Sequence, residues 1–184
     1  MNLPPLKTTL TLVLITTSLL NHAAAAPANF STGPVFKKHG ENTPIKNGLN
    51  NAEEQKFKVV FDVYKGNVGD QPHRGFNTVA RFINMHVRAG VSIDNIDVAL
   101  VVHGKASHDL MTDEAFEAAF GKENPSAELV HQLIKNKVHV YICGQSSSHL
   151  GITADQLNDK VTISLSAMTA NALLQQQGYT LNPF

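Results

Sequence analysis

Three short runs between residues 57 and 143 are dense in β-branched, aliphatic and aromatic side chains: Phe57–Tyr64, Ile96–His103 and Val138–Cys143. The middle run is almost continuously apolar, so as a strand it needs cover on both faces, the situation of a strand inside a parallel sheet. The stretches between the runs change period. Phe76, Val79, Ala80, Ile83 and Val87 recur at helical spacing, after a loop over Lys65–Gln71, a helix start near Pro72 and before a stop at Gly90. Two more helices are predicted before the third run. One is capped by Thr112, carries Phe116, Ala119 and Phe120 and ends at Gly121; the other opens at Asn124-Pro125 and buries Leu129, Val130, Leu133 and Ile134. Beyond Cys143 the order is a polar loop (Gly144–His149), a capping box at Thr153–Gln156, a strand at Val161–Leu165, a helix at Met168–Gln177 and an edge strand at Tyr179–Leu181. This alternation predicts a single α/β domain over 57–184. It has three layers, with a mainly parallel sheet of about five strands flanked by helices and joined by right-handed crossovers.

The first residues read as an address. Lys7 is the only charge before the apolar segment Thr8–Leu20, and the small residues Ala23–Ala26 follow. That is the layout of a secretory signal, and the apolar stretch falls short of the roughly 20 residues a bilayer span requires. Cleavage after Ala25 is expected, because cleavage one residue later would leave Pro27 first. Residues 1–25 are thus assigned to a signal peptide and the mature protein to the periplasm, as a soluble chain. Residues 26–56 are rich in Pro, Gly, Asn and charge, with Phe30, Val35, Phe36, Ile45 and Leu49 as the only anchors. A flexible arm is expected there, with a helical turn near Asn50–Gln55.

Removing 25 residues leaves 159, enough for one domain to hold its core without a metal or disulfide. Lys7 leaves with the signal, so 14 basic residues face 15 acidic ones. That balance does not suggest a nucleic-acid partner, which calls for a basic face. Nor does any basic amphipathic segment suggest membrane insertion once the signal is gone.

The chemistry centres on the only cysteine, Cys143, which closes its strand. Open α/β sheets bind ligands at the carboxyl ends of their strands, here Tyr64–Asp70, His103–His108, Cys143–His149 and Ser166–Thr169. Gly144 lets backbone approach closely, and N–H groups of the following loop are placed to stabilise a thiolate, the reactive form of cysteine. Spacing alone equally allows a buried, inert strand cysteine. His103, His108 and His149 do not have a metal-ligand spacing, so no metal is expected. The segment Gly144–Gly151 lacks the Gly-x-Ser-x-Gly pattern of a hydrolase, and Gly66, Gly69 and Gly75 do not form a nucleotide-binding loop. No cofactor is expected.

Val138-His-Val-Tyr-Ile-Cys-Gly144, followed by His149-Leu-Gly-Ile152, resembles the DsrE/DsrF-like family of sulfur-relay proteins. The likeness continues through Val161–Leu165 and Leu173–Tyr179. Lys58–Val63, Val101-Val-His-Gly104 and Asn124-Pro125 look like its exported branch. The resemblance implies that Cys143 accepts sulfur as a persulfide and passes it to a partner's thiol. Gly144, Gln145 and Ser146 would then be donors to the sulfur, and His103 and His149 would tune the thiolate. It also implies a homo-oligomer, a trimer or hexamer, and donor and acceptor proteins whose identity is open. The relay systems of the family are cytoplasmic, so an exported member needs other partners. Cys143 is accordingly expected to be solvent-reachable and more acidic than a free cysteine. The alternative is a non-catalytic oligomeric module of the same fold, binding a small ligand and carrying an inert cysteine.

Overall fold

The computed structural model describes residues 29–45 and 51–183; the expected signal segment lies outside them. Five strands form one sheet: β1 (Phe57–Val63), β2 (Ile96–Val102), β3 (His139–Cys143), β4 (Thr162–Ser164) and β5 (Thr180–Asn182). Their order is β4-β3-β2-β1-β5, and every neighbouring pair is parallel. The helices are α1 (Arg74–Arg88), α2 (Asp113–Phe120), α3 (Ala127–Lys135), α4 (Gly144–Leu150) and α5 (Ala167–Gln176). The expected caps of α2 form: the Thr112 hydroxyl accepts the N–H of Ala115, and Gly121 ends the helix in the left-handed region. α3 does not open at Asn124-Pro125: its N-cap is Ser126, whose N–H the Asn124 side chain accepts at 2.9 Å.

Alternation along each strand divides the core in two. Phe61, Val63, Leu100, Val102, Val140 and Ile142 face α1 and α3, against Phe76, Val79, Ile83, Leu129 and Leu133. Val60, Ala99, Val101 and Cys143 face the other way, against Ala167, Ala170 and Leu174 of α5 and Tyr179. β2 is buried on both faces, which accounts for its unbroken apolar run. From β1 to β4 the chain adds strands in one direction. α5 then crosses the opposite face and delivers β5 to the far side of β1.

Two expectations need correction. Gly144–His149 is not a loop: Gly144–Leu150 forms α4, closed by Gly151 at φ 71°. A Gly-Gln-Ser-Ser-Ser-His run has weak helix propensity and no apolar period, so only its surroundings select the helix. The expectation of a flexible arm also fails for residues 29–45, which fold against α1. Ser31 and Asn42 pair as a two-way backbone bridge, and Phe36 is 2% exposed within the larger core. The buried Asn84 amide accepts the N–H groups of Val35 and Phe36 at 3.0 and 2.8 Å, and donates to the carbonyls of Phe36, His39 and Gly40. Gly40 adopts φ 68°, and a Cβ there would lie 2.5 Å from the α1 backbone at Ala80–Arg81, so only glycine lets the segment lie this close. Ala52–Glu54 makes a single 3-10 turn in the region where a helical turn was expected. Among the described residues no helix is long and apolar enough to cross a membrane.

Candidate functional site

Cys143 ends β3 and is the N-cap of α4, with φ −68° and ψ 115°. Its pairing with Ser164 of β4 and its place in the smaller core put its side chain on the α5 face. Two helix starts meet there. Burial raises the thiol pKa, but the hydroxyl and N–H of Ser146 and the N–H groups of Ala167 and Gln145 outweigh it, so the thiol is held below its ordinary value. Ser146 and Gln145 come from the first turn of α4; Ala167 is the first residue of α5. Unpaired N–H groups at a helix start carry partial positive charge, and here two such starts share one sulfur.

The Ser146 hydroxyl links this centre to the next strand end. It accepts the N–H of Gly104 at 2.9 Å, which leaves its proton for the sulfur. Gln145 is exposed, and its side-chain amide donates to the carbonyl of Leu165 at 3.3 Å, joining the start of α4 to the segment before α5. A Cβ at Gly144 would lie 2.6 Å from the Ser164 carbonyl oxygen, so glycine at this position lets the start of α4 lie close against β4.

The histidines divide. Val102 pairs with Ile142, so His103 follows β2 just as Cys143 closes β3. The His103 ring turns to β1, with Nε2 3.0 Å from Asp62 Oδ2 and a stacked Tyr64 at 5.7 Å. Asp62 Oδ1 in turn accepts from Asn171 of α5 at 2.7 Å. His149 is exposed in the last turn of α4, at the far end from Cys143, and does not join the centre. His108 packs on the edge of Phe120 at 5.1 Å. Among the described residues no group of three His, Cys, Asp or Glu side chains is placed to hold a metal ion.

Sequence reasoning did not find Ala167, Asp62 or Asn171. Asp62 had a signal, a carboxylate following the apolar run Val59–Phe61 inside β1. Ala167 lies within the expected ligand-binding strand end Ser166–Thr169, but nothing singled it out there, because it contributes only a backbone N–H. Cys143 is 5% exposed, against the expectation of a solvent-reachable thiol. α5 and the segment before it roof this face of the sheet.

The profile of the DsrE/DsrF-like family matches residues 58–183, which hold α1 to α5 and the sheet from the second residue of β1 onward. The chain belongs to the DsrE/DsrF-like family. Among solved structures it is similar to the ychN protein of E. coli, at 18% identity and a TM-score of 0.51, covering 70% of this chain and 99% of that one. It is also similar to MTH1491, a protein of unknown function from Methanobacterium thermoautotrophicum, at 17% identity and a TM-score of 0.48, covering 70% of this chain and 100% of that one. No curated protein matches it in sequence. The single parallel α/β domain of this DsrE/DsrF-like protein is therefore the architecture expected from its sequence.

Proposed function

We propose that this DsrE/DsrF-like protein is an exported, periplasmic sulfur carrier that accepts sulfur on Cys143 and passes it to a partner thiol. The observation that carries this reading is the place of Cys143 as the N-cap of α4, on the face covered by α5, where nearby donors hold its thiol below the ordinary value. An inert cysteine in an apolar core has its thiol pushed up, whereas this one is pulled down. In the loading step the Cys143 thiolate attacks the terminal sulfur of a donor persulfide, R–S–SH. A bond forms between Sγ and that sulfur, the donor S–S bond breaks, and the donor leaves as R–S⁻. The proton stays on the transferred sulfur, and an acceptor thiolate reverses the bookkeeping to unload it. Gly144 keeps the start of α4 against β4. Gln145 and Ser146 supply donors, and His103 stands beside the centre held by Asp62.

The 5% exposure of Cys143 favours the other reading, a small-ligand-binding module with an inert cysteine. Reaction of the native protein with a small thiol reagent, methyl methanethiosulfonate, separates the two. A carrier is modified at a rate that rises with pH and levels off below the ordinary cysteine range. A module is modified only after denaturation. Ser146→Ala is expected to slow the reaction at pH 7 by about tenfold and to shift the profile to higher pH, since a hydrogen bond to a charged acceptor is worth about 1.5–3 kcal/mol. An unchanged profile would remove Ser146 from the centre.

A homo-oligomer, a trimer or hexamer, is part of this proposal. Leu165 and Met168 are 72% and 81% exposed, with Ile163 and Leu173 also exposed, and β4 ends the sheet with no further strand beside it among the described residues. Light scattering at micromolar concentration is expected to show the assembly and Leu165→Asp with Met168→Asp to dissociate it. A monomeric parent protein contradicts the assembly. Intact mass of exported protein is expected to begin at Ala26; retention of Met1 contradicts export.

A further inference from the structure

The reversal of strand order leaves a groove remote from Cys143. β1 lies between β2, which the chain reaches through α1 on one face, and β5, which it reaches through α5 on the other. Such switch points are where open parallel sheets form ligand crevices. Here the opening is about 580 Å³, within the roughly 300–1,000 Å³ of small-molecule sites. Its floor is Phe61 of β1, and one stripe of α1, including Arg74, Thr78, Arg81, Phe82 and Met85, forms its wall. Lys65, just past β1, stands at the same end as Arg74.

The charges and apolar groups along this groove are ordered. Lys65, Arg74 and Arg81 have no carboxylate partner among the described residues. By contrast, in a cleft of similar size, about 590 Å³, Lys137 already faces Asp94 and His139 faces Asp97. The head of the groove is also braced. His73 Nδ1 accepts the N–H of Gly75 at 2.9 Å, so its Nε2 carries the proton and donates to the Lys65 carbonyl at 2.6 Å. That ties the Lys65 backbone to the start of α1. The other end is apolar: Met85 is exposed, and Phe82 is seated edge-on against Phe57 and Phe61 at 5.9 and 5.6 Å. Arg81 lies about 10 Å along the helix from Arg74, too far for both to grip one small head.

We propose that this groove binds an amphipathic monocarboxylate. Its carboxylate lies between Lys65 and Arg74, and its aliphatic or aromatic body runs along α1 past Thr78 to Phe82 and Met85. Arg74 supplies a planar pair of donors suited to a carboxylate, and Lys65 a second, mobile charge. Arg81 adds attraction without a direct contact.

Titration calorimetry on the full mature chain tests this with sodium octanoate, octylammonium chloride and 1-octanol. Octanoate is expected to bind one per chain, at least tenfold more tightly than either analogue. Arg74→Glu is expected to weaken octanoate at least tenfold, about 1.4 kcal/mol, and Met85→Asp to weaken both octanoate and octanol. Both positions are exposed, so circular dichroism and the melting temperature should match the parent. Cys143→Ser should bind octanoate as the parent does, which separates this site from the thiol. Equal binding of octanoate and octylammonium, indifference to Arg74→Glu, or binding of anionic lipid vesicles without binding of octanoate would each overturn the proposal.

Discussion

Cys143→Ser is expected to yield a protein that folds and assembles like the parent and takes up no sulfur at all. Incubated with a persulfide donor, the parent should gain the mass of one sulfur atom and the variant none. The fold survives because serine is close to cysteine in size and its oxygen can accept the same N–H groups of Gln145, Ser146 and Ala167. The stability cost is about 1 kcal/mol. Transfer fails because a hydroxyl is not ionised at neutral pH and does not attack a sulfane sulfur. Stability against pH provides a second check. The folded thiol pKa lies below the unfolded value of about 8.5. Its contribution to stability is therefore fully present above that unfolded value and is lost as pH falls through the folded one. The stability advantage of parent over Cys143→Ser should grow as pH rises across that window. Sulfur uptake by Cys143→Ser would remove Cys143 from the chemistry.

Asn84→Ala is expected to destabilise the protein as strongly as truncation of a buried core aromatic. The side chain is fully buried and makes five hydrogen bonds to the backbone of residues 35–40. Alanine would leave the N–H groups of Val35 and Phe36 and the His39 carbonyl to find other partners, since the Phe36 and Gly40 carbonyls keep the N–H of Gly33 and the Asn42 amide; the cost is about 3–5 kcal/mol. For a chain of this size that lowers the melting temperature by roughly 10 °C. Residues 29–45 should also detach, so that trypsin cuts at Lys37–Lys38 before the domain melts. A parent-like melting temperature and trypsin pattern would show that Asn84 does not anchor the segment.

Asn84 also shows the limit of reading the sequence. It sits four residues after Ala80 and three before Val87, on the stripe that α1 buries, so a polar side chain in the core was visible in one dimension. Its partners were not, because residues 35–40 have neither an apolar period nor a strand pattern of their own. Asp62 is similar. Its place within β1 was visible, but its contacts with His103 and Asn171 span 41 and 109 residues.

By itself the sequence determined the strands, the helices with apolar stripes, the caps at Thr112 and Gly121, and the position of Cys143 at the end of β3. Each is a local consequence of side-chain period or backbone preference. The tertiary structure alone decided that Gly144–Leu150 is helical, that α5 crosses the face opposite α1, and that β5 returns beside β1. These follow from which faces must be covered, a matter of packing between distant segments. The thiol environment belongs to the same class. Ala167 lies 24 residues beyond Cys143 in the chain, and its N–H helps lower the thiol pKa only because β4 pairs with β3 and brings the start of α5 to that face.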